Sequence, residues 1–403
     1  MLSLRLMVSV SNQSILILTL DGRGECRHFR PEEETIMATL QDLNRTPLFE
    51  THVSLGGRMV PFSGWEMPIQ YTGIFDEARA VRSKAGLFDV SHMGRVAIRG
   101  QGAADFLNRV LSVDIPALRI GRARYNVICD EQGGIIDDCI VYRRGEEQFL
   151  LVPNAGNASQ VLEWLDRWSP GPPSVEIENL TSKYAMIANQ GPEATSILQE
   201  FTPADLSKVR PFRYVDTQVN GIDTMLARTG YTGEDGFELI LPSENAAEIW
   251  KLLMDKGAAA VGLGARDVLR MEAGLLLHGN DMDTSVNPYE AGLEKFVDPD
   301  REGYIAGEAL RHIRDEGAGK RLVGFNMVGR GIARHGQPIV DGSHQIGEVT
   351  SGGQSPTLDR SIGLGYVPSG YSTEGSRFHI DIRGRHVEAE VTKLPFYARR
   401  RNL

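Results

Sequence analysis

Two adjacent acidic residues interrupt a stretch of sequence that otherwise has the composition of a buried β-strand. Residues 133–142 read Gly-Gly-Ile-Ile-Asp-Asp-Cys-Ile-Val-Tyr, so Asp137 and Asp138 stand among branched and apolar side chains. A turn over residues 130–134 precedes them and predicts a strand that begins at Ile135. Burying a carboxylate in apolar surroundings costs free energy, so the fold of this chain has to compensate both charges.

Alternation of side chains along a strand places the two carboxylates on opposite faces of a sheet. We expect the Asp137 face to carry Ile135, Cys139 and Val141 as well, and the Asp138 face to carry Ile136, Ile140 and Tyr142. Burial raises the pKa of a carboxyl group toward the range in which it acts as a general base. The alternative is a structural aspartate, held by hydrogen bonds where the strand is irregular.

The length and composition of the chain limit its class and its partners. A chain of 403 residues exceeds one ordinary core and predicts two or three domains. The formal net charge of −10 argues against nucleic acid or an anionic membrane as the main partner. Three cysteines without metal-ligand spacing predict a reducing compartment and no disulfide framework.

The first 44 residues differ from the rest of the sequence. The apolar run over residues 15–20 is too short to cross a bilayer, and no signal-cleavage pattern follows it. Arginines here are typical of an organellar transit peptide, but the acidic run over residues 32–34 contradicts that interpretation. We expect residues 1–44 to be an N-terminal extension, disordered or an artefact of an upstream start, with Met37 as a candidate start.

Periodicity predicts the coarse organisation of the remainder. Apolar spacing predicts helices over residues 74–84, 103–111 and 158–168, and a strand over residues 150–152. The charged stretch over residues 311–320 is the predicted boundary between a region over 45–310 and a C-terminal domain over 318–403. Strands punctuated by glycine predict that this last domain is all β.

Four further segments have compositions that invite a functional interpretation. Residues 88–94 bring an Asp, a Ser and a His close together, but a hydrolytic triad is disfavoured because no nucleophile-elbow glycines surround the serine. Residues 346–358 are small and hydroxylated, and predict a tight turn with an architectural role.

The other two segments each contain one ionisable residue in an unusual position. Glu238 follows a glycine-rich turn and stands between Phe237 and Leu239. Its two carboxylate oxygens suit a flat heterocycle with adjacent N–H donors. The alternative is a glutamate that faces solvent. Arg266 lies near the start of a helix predicted from Gly262, where the helix dipole disfavours a cation. Either a ligand anion or a structural salt bridge explains that arginine.

Seven segments in this order resemble the glycine cleavage system aminomethyltransferase family, the T-protein. The match runs from about residue 45 to residue 397 and rests on residues 45–48, 62–68, 88–94, 133–142, 228–238, 262–273 and 350–358. The resemblance implies an α+β, three-lobed fold. Two interleaved α+β lobes would form the folate-binding region, and a C-terminal β-barrel-like domain would close one side.

The resemblance also implies the reaction and its partners. Tetrahydrofolate would be the co-substrate, and the lipoylated H-protein would supply the aminomethyl group. The products would be methylenetetrahydrofolate, ammonia and the dihydrolipoyl carrier. No metal, nucleic acid or membrane would take part, and the location would be cytoplasmic, or the mitochondrial matrix in a eukaryotic source.

Site residues carry over from the family position by position. The catalytic aspartate falls on Asp138, which strand alternation alone does not select. The folate-binding residues fall on Met93, Tyr125, Tyr142, Asn154, Tyr231, Glu238 and Arg266. The chain departs from the pattern at Lys295, where some relatives carry a tryptophan.

Two rival interpretations share this scaffold. A folate-dependent methyltransferase or demethylase would act on a small free substrate and would need no carrier protein. A non-enzymatic folate-binding protein of iron–sulfur maintenance would carry a lysine- and cysteine-containing motif, which this sequence lacks.

Overall fold

The structure is a computed structural model that describes residues 43–399. The predicted extension over residues 1–44 therefore lies outside the described residues, apart from its last two, and so does Cys26. None of the described helices is both long enough and apolar enough to cross a membrane.

The described helices are short, and four of them lie where periodicity predicted them. The α-helices are α1 (Phe49–Ser54), α2 (Ile74–Ser83), α3 (Ala103–Val110), α4 (Ala158–Trp168), α5 (Ala194–Gln199), α6 (Ala246–Asp255), α7 (Leu263–Glu272) and α8 (Gly307–Glu316). Short 3-10 helices cover Ala155–Asn157, Leu206–Lys208, Ser243–Asn245, Glu294–Phe296 and Ser369–Tyr371. Helices α2, α3, α4 and α7 confirm the sequence-based expectations to within one or two residues at their ends.

Strands make up most of the remaining ordered structure. In the first part of the chain they are β1 (Arg58–Phe62), β2 (Trp65–Gln70), β3 (Gly86–Asp89), β4 (Val96–Arg99), β5 (Arg122–Cys129), β6 (Ile135–Gly145), β7 (Gln148–Val152), β8 (Glu176–Asn179), β9 (Tyr184–Gln190), β10 (Tyr214–Val219), β11 (Ile222–Ala227), β12 (Gly236–Pro242) and β13 (Ala259–Ala260). In the C-terminal part they are β14 (Lys320–Met327), β15 (Pro338–Asp341), β16 (His344–Ser355), β17 (Arg360–Pro368), β18 (Arg377–Ile382) and β19 (Arg385–Thr392).

Two sheets interleave along the chain before the C-terminal domain begins. A six-stranded sheet has the order β10-β11-β12-β9-β3-β13, and a five-stranded sheet has the order β5-β6-β7-β4-β8. The chain enters the first sheet at β3, builds the whole second sheet, and then returns to the first sheet at β9. This exchange gives the two interleaved α+β lobes that the resemblance implied.

Each sheet has its own helix-covered core, and the two sheets share a third. Helix α6 packs Ile249, Trp250 and Leu253 into the core of the six-stranded sheet. Helices α3 and α4 cover the five-stranded sheet through buried residues that include Phe106 and Leu165. The third cluster takes side chains from both sheets: Phe88, Met186 and Ile240 from one, and Tyr142, Leu150 and Val152 from the other.

The C-terminal strands close into a barrel, which confirms the predicted all-β domain. The barrel order is β14-β17-β16-β15-β18-β19, and its core contains Phe325, Val349, Phe378 and Ile380. The predicted charged boundary over residues 311–320 is mostly helix α8, because its apolar Leu310 and Ile313 pack against other hydrophobic residues. The connection itself is residues 317–319.

The tight turn predicted over residues 346–358 is wrong for most of the segment, because only its last three residues belong to a turn, over residues 356–359. Most of this segment is strand β16, with a register irregularity between Val349 and Ser351. Its hydroxyl groups reach out of the barrel to two buried carboxylates of the region that precedes the barrel, Asp281 and Glu272. We call the four hydroxyl residues Thr350, Ser351, Ser355 and Thr357 the hydroxyl ladder.

Candidate active site

Strand β6 carries the acidic pair and begins at Ile135, as predicted. It contains a β-bulge at its start, because Cys129 of β5 pairs with Ile135 while Ile128 pairs with Asp137. Ile136 is therefore an extra residue that has no partner of its own on β5. A bulge of this kind re-aims the side chains that follow it.

Because of the bulge, Ile135 and Ile136 do not lie on the faces of β6 that strict alternation predicts. Ile136 packs in the same cluster as Cys139 and Val141, not with Ile140 and Tyr142. Ile135 packs in a different cluster, with Val127. The expected positions of Ile135 and Ile136 were wrong because strict alternation does not allow for an inserted residue.

Asn154 joins the two carboxylates of the pair. Its side-chain Nδ2 lies 2.9 Å from Asp137 Oδ1 and 2.8 Å from Asp138 Oδ1, and its backbone N–H donates to Asp137 Oδ2 at 2.9 Å. Asn157 adds another donor, 2.9 Å from Asp137 Oδ1. Asp137 is fully buried, whereas Asp138 is half-buried.

The hydrogen bonds make the two aspartates unequal. Burial raises the pKa of both carboxyl groups, and the charge of Asp137 raises that of Asp138 further. The donors of Asn154 and Asn157 oppose this effect at Asp137, while Asn154 and Tyr125 oppose it at Asp138. Asp137 therefore holds the better supported charge, and Asp138 is the more accessible proton acceptor.

His278 belongs to the same network, and the sequence analysis did not identify it. Its Nδ1 lies 2.7 Å from Asn157 Nδ2, and burial lowers its pKa while the charge of Asp138 acts in the opposite direction. The only signal in the sequence is an isolated histidine directly before Gly279. Nothing in that pattern connects it with strand β6.

Tyr125 forms a wall beside the acidic pair. Burial and the charge of Asp138 raise its pKa well above the usual range. Its ring meets the ring of Phe296 edge to face, with centroids 4.7 Å apart. Lys295, the residue at which the chain departs from the family pattern, places its Nζ 4.9 Å from the centroid of Phe296.

Glu238 is buried in strand β12, which excludes the solvent-facing alternative. Thr229 donates its hydroxyl hydrogen to Glu238 Oε2, and the Tyr142 hydroxyl lies 3.2 Å from Thr229 Oγ1. Burial raises the pKa of Glu238. Within residues 43–399, Oε1 of Glu238 forms no hydrogen bond, so one acceptor of this buried carboxylate is still available.

Arg266 offers a cation without a carboxylate partner. Among the described residues, its guanidinium group makes no ion pair, so the alternative of a structural salt bridge is not supported. It lies over the ring of Tyr231, 4.7 Å from the centroid, and burial lowers its pKa. The Tyr231 hydroxyl donates to the carbonyl of Leu276.

The eight candidate residues form one connected group. Met93 packs on the third cluster, which contains Tyr142, and Arg266 interacts electrostatically with both Tyr231 and Glu238. Burial and the charge of Asp138 both raise the pKa of Tyr231. The arrangement provides a proton acceptor, a free carboxylate oxygen and a free guanidinium group between aromatic walls.

A hydrolytic triad does not form in segment 88–94. Asp89 bonds to His52 at 2.9 Å, and His52 in turn bonds to the Tyr71 hydroxyl at 2.8 Å. Ser91 donates to the carbonyl of Met186, not to His92. Elsewhere in residues 43–399, no three His, Cys, Asp or Glu side chains converge as metal ligands would, and Cys129 and Cys139 are free thiols.

Comparison with known proteins identifies two domain families in the chain. The GCVT N-terminal domain matches residues 48–301, and the glycine cleavage T-protein C-terminal barrel domain matches residues 320–398. An aminomethyltransferase of Rubrobacter xylanophilus is 50% identical over 361 residues, which cover 89% of this chain and 96% of the relative. An aminomethyltransferase of Geobacillus kaustophilus is 43% identical over 363 residues, which cover 89% and 99%.

A solved structure shows the same architecture. The crystal structure of glycine cleavage system aminomethyltransferase T from Bartonella henselae matches with a TM-score of 0.84 and 35% sequence identity. The match covers 88% of this chain and 98% of that one. With both domain families present, and with relatives matched over nearly their full length, the chain belongs to the glycine cleavage T-protein family of aminomethyltransferases.

Proposed function

We propose that this aminomethyltransferase transfers the methylene carbon of the aminomethyl-dihydrolipoyl H-protein to tetrahydrofolate and releases ammonia. The observation that carries the proposal is the acidic pair joined by Asn154, together with a buried glutamate and with an arginine that forms no ion pair within residues 43–399. The proposed reaction needs a proton acceptor next to a folate pocket, and this group of residues would supply both.

The available polar atoms fit a bound folate. Glu238 Oε1 would accept from the donor edge of the pterin, while Thr229 keeps the second oxygen in place. Arg266 would donate to folate oxygen atoms, because its guanidinium group has no carboxylate partner among residues 43–399. Met93, Tyr125, Tyr142 and Tyr231 would line the ring system, and Asn154 would hold the acidic pair in place.

Asp138 would act as the base of the transfer. The raised pKa of Asp138 lies closer to the working pH, and a general base is most efficient when its pKa is near that pH. Asp138 would withdraw the proton of the attacking folate nitrogen as the carbon–nitrogen bond to ammonia breaks. Over the whole reaction, the two protons of the folate nitrogens appear on the released ammonia and on the dihydrolipoyl thiol, so no redox partner is needed.

The aromatic walls would protect the labile group. Tyr125 and Phe296 pack edge to face beside the acidic pair, which limits the access of water. Holding the folate and the lipoyl arm together would also lower the entropic cost of their encounter. We infer that lipoylated H-protein and tetrahydrofolate are the partners, with no nucleic acid or membrane, and that the location is cytoplasmic, or the mitochondrial matrix in a eukaryotic source.

The assay for this function measures methylenetetrahydrofolate and ammonia with and without the aminomethylated carrier. Strict dependence on the carrier supports the proposal. Equal turnover of a small free methyl or aminomethyl donor without the carrier would instead support the folate-dependent methyltransferase or demethylase alternative.

Two variants test the assigned roles separately. We expect Asp138→Asn to lower kcat by about 10²- to 10⁴-fold and to retain folate affinity, because the amide still accepts from Asn154 but takes up no proton. Glu238→Gln should weaken folate binding with a smaller effect on kcat. Near-normal turnover by Asp138→Asn would refute the catalytic assignment, whatever the result for Glu238.

A further inference from the structure

An open cavity at the surface lies outside the candidate active site. It has a volume of about 550 Å³ and none of the eight candidate residues lines it. Its walls come from residues 119–122, at the start of β5, and from residues 204–215, which lead into β10. Pockets that hold small molecules have volumes of about 300 to 1,000 Å³, so this cavity is large enough for one.

The charged residues of the cavity are mostly cations. Arg119, Arg122, Lys208 and Arg213 line it, against a single carboxylate, Asp205. That carboxylate is already engaged, at 2.9 Å by Lys208 and at 2.6 Å by the hydroxyl of the neighbouring serine. The chain as a whole is acidic, with a net charge of −10, so the local excess of positive charge does not follow from its composition.

The three arginines of the cavity have no carboxylate partners among residues 43–399. In the part of the chain that the structure describes, Arg119, Arg122 and Arg213 make neither ion pairs nor side-chain hydrogen bonds. Other arginines of the same lobes behave differently: Arg144 pairs with an aspartate at 2.7 Å and Arg228 with another at 2.5 Å. The three arginines of this cavity therefore lie together without the carboxylate partners that Arg144 and Arg228 have.

Two of these arginines face each other across the backbone. Arg122 and Arg213 are paired in an isolated antiparallel bridge. Like charges directly opposite each other on paired strands destabilise the pairing. The backbone bridge itself would form equally well with neutral side chains, so the fold does not explain this repulsion.

We propose that this cavity, which we call the arginine cavity, binds a small polyanion. Arg122 and Arg213 would each hold one anionic group with their planar guanidinium forks, which match phosphate and carboxylate groups. Ile120, Val209 and Tyr214 also line the cavity and would contact the uncharged body of the ligand. Binding would remove the repulsion across the bridge. The inference does not depend on the proposed function, because it concerns a different set of residues.

Calorimetric titration of the full chain at low salt tests the proposal with two probes, sodium tripolyphosphate and triglutamate. We expect saturable binding of at least one probe, weakened by added salt because the interaction is electrostatic. The double variant Arg122→Gln/Arg213→Gln should bind that probe at least about tenfold more weakly. The control Arg58→Gln/Arg330→Gln removes the same charge from exposed positions elsewhere and should bind as the wild type does.

The titrations distinguish a phosphorylated ligand from a polycarboxylate and show whether the arginine cavity binds either of them. Binding of tripolyphosphate that the double variant loses assigns a phosphorylated ligand, and the same result with triglutamate assigns a polycarboxylate. No saturable binding of either probe, or unchanged binding by the double variant, overturns the proposal.

Stability gives an independent readout. Without an anion, Arg122→Gln should unfold at the same temperature as the wild type or at a higher one, because it relieves the repulsion with Arg213. A clearly lower unfolding temperature would show that Arg122 is a structural residue and would also overturn the proposal.

Discussion

Asn154 donates to both carboxylates of the acidic pair, and its backbone N–H donates to Asp137 as well. Asp137 therefore receives three N–H groups, counting that of Asn157, and its negative charge is well supported. The charge of Asp137 in turn raises the pKa of Asp138. The backbone N–H of Asn154 and the side chain of Asn157, which donate to Asp137 but not to Asp138, thus distinguish two residues that are equivalent in the sequence.

The raised pKa of Asp138 predicts a trade-off between stability and activity. Its folded-state pKa lies above its unfolded-state pKa, so its contribution to stability is present at low pH and is lost as the pH rises through the folded-state value. Asp138→Asn removes the charge, so we expect the variant to be more stable than the wild type at pH 8 by about 1 kcal/mol.

Thermal unfolding between pH 4 and pH 8 measures this effect. The advantage of Asp138→Asn should grow with pH and should nearly vanish at pH 4. A variant that is less stable than the wild type at pH 8 would contradict the inferred burial cost of the carboxylate.

His278 should control the pH dependence of turnover. The protonated form of His278 lowers the pKa of Asp138, so His278→Gln should raise that pKa. Because the base has to be deprotonated, the acid limb of kcat/KM should move to higher pH, by up to about one unit. The control is His312→Gln, which removes an exposed histidine of helix α8. An acid limb that stays in place or moves to lower pH would exclude this role.

The sequence identified the acidic pair but not the network around it. Asp137 and Asp138 were conspicuous because charged residues are rare in apolar strands, and the start of β6 followed from the turn before it. His278 and Asn157 meet the pair only through tertiary structure, about 140 and 20 residues away along the chain. No local pattern reports such contacts.

At the scale of elements, the entry into β6 positions the acidic pair. Gly134 stands directly before the strand, where a Cβ atom would lie 2.3 Å from the backbone carbonyl oxygen of Thr284. That oxygen belongs to the backbone and cannot rotate away. The close approach of the two segments therefore requires a glycine.

Gly134→Ala should displace the start of β6 and with it the acidic pair. We expect a loss of about 1 to 3 kcal/mol in the free energy of unfolding, together with reduced kcat, because the added methyl group overpacks the contact with Thr284. Urea denaturation and steady-state kinetics measure both effects.

Gly145→Ala, in the same strand, is the matched control. Its Cβ atom would approach only the flexible side chain of Gln148, at 3.4 Å, so the change should stay within about 0.5 kcal/mol. Equal effects of the two substitutions would contradict the steric argument.

The predicted helices agree with the structure where the burial of one face alone determines the spacing of apolar residues. Helices α3 and α4 followed from apolar spacing because each covers a sheet with one face. The prediction for residues 346–358 was wrong over the part that forms β16, because a small and hydroxylated composition is also typical of turns. Their hydroxyls serve the buried carboxylates of another domain, which the local sequence does not reveal.

At the scale of the whole molecule, buried carboxylates join the barrel to the rest. Asp281 accepts from Thr350 and Ser351 at 2.5 and 2.7 Å, and also pairs with Arg270 at 2.6 Å. Glu272 accepts from Ser355 at 2.5 Å. Both carboxylates are completely buried. The barrel thus provides hydrogen bonds that these charges need.

Ser355→Ala should therefore destabilise the whole molecule. It removes a donor from Glu272 and leaves part of a buried charge unsatisfied, which costs about 1 to 3 kcal/mol. Urea denaturation should show a lower midpoint for the barrel and for the region that precedes it, together. Ser343→Ala, at an exposed barrel position, should change the midpoint little. Separate unfolding of the barrel at an unchanged midpoint would refute this coupling.

The position of the hydroxyl ladder near the C-terminal end of the sequence affects how the chain folds during its synthesis. The segment with Asp281 and Glu272 leaves the ribosome before residues 350–357, and domains begin to fold in the order of their synthesis. Until the ladder emerges, the two carboxylates lack hydrogen bonds that the finished protein supplies. The nascent chain therefore completes its hydrogen bonding only when the barrel, about the last 80 residues, has been synthesised. A chain that ends before the barrel would leave these carboxylates unsatisfied, and chaperones and proteases would recognise it.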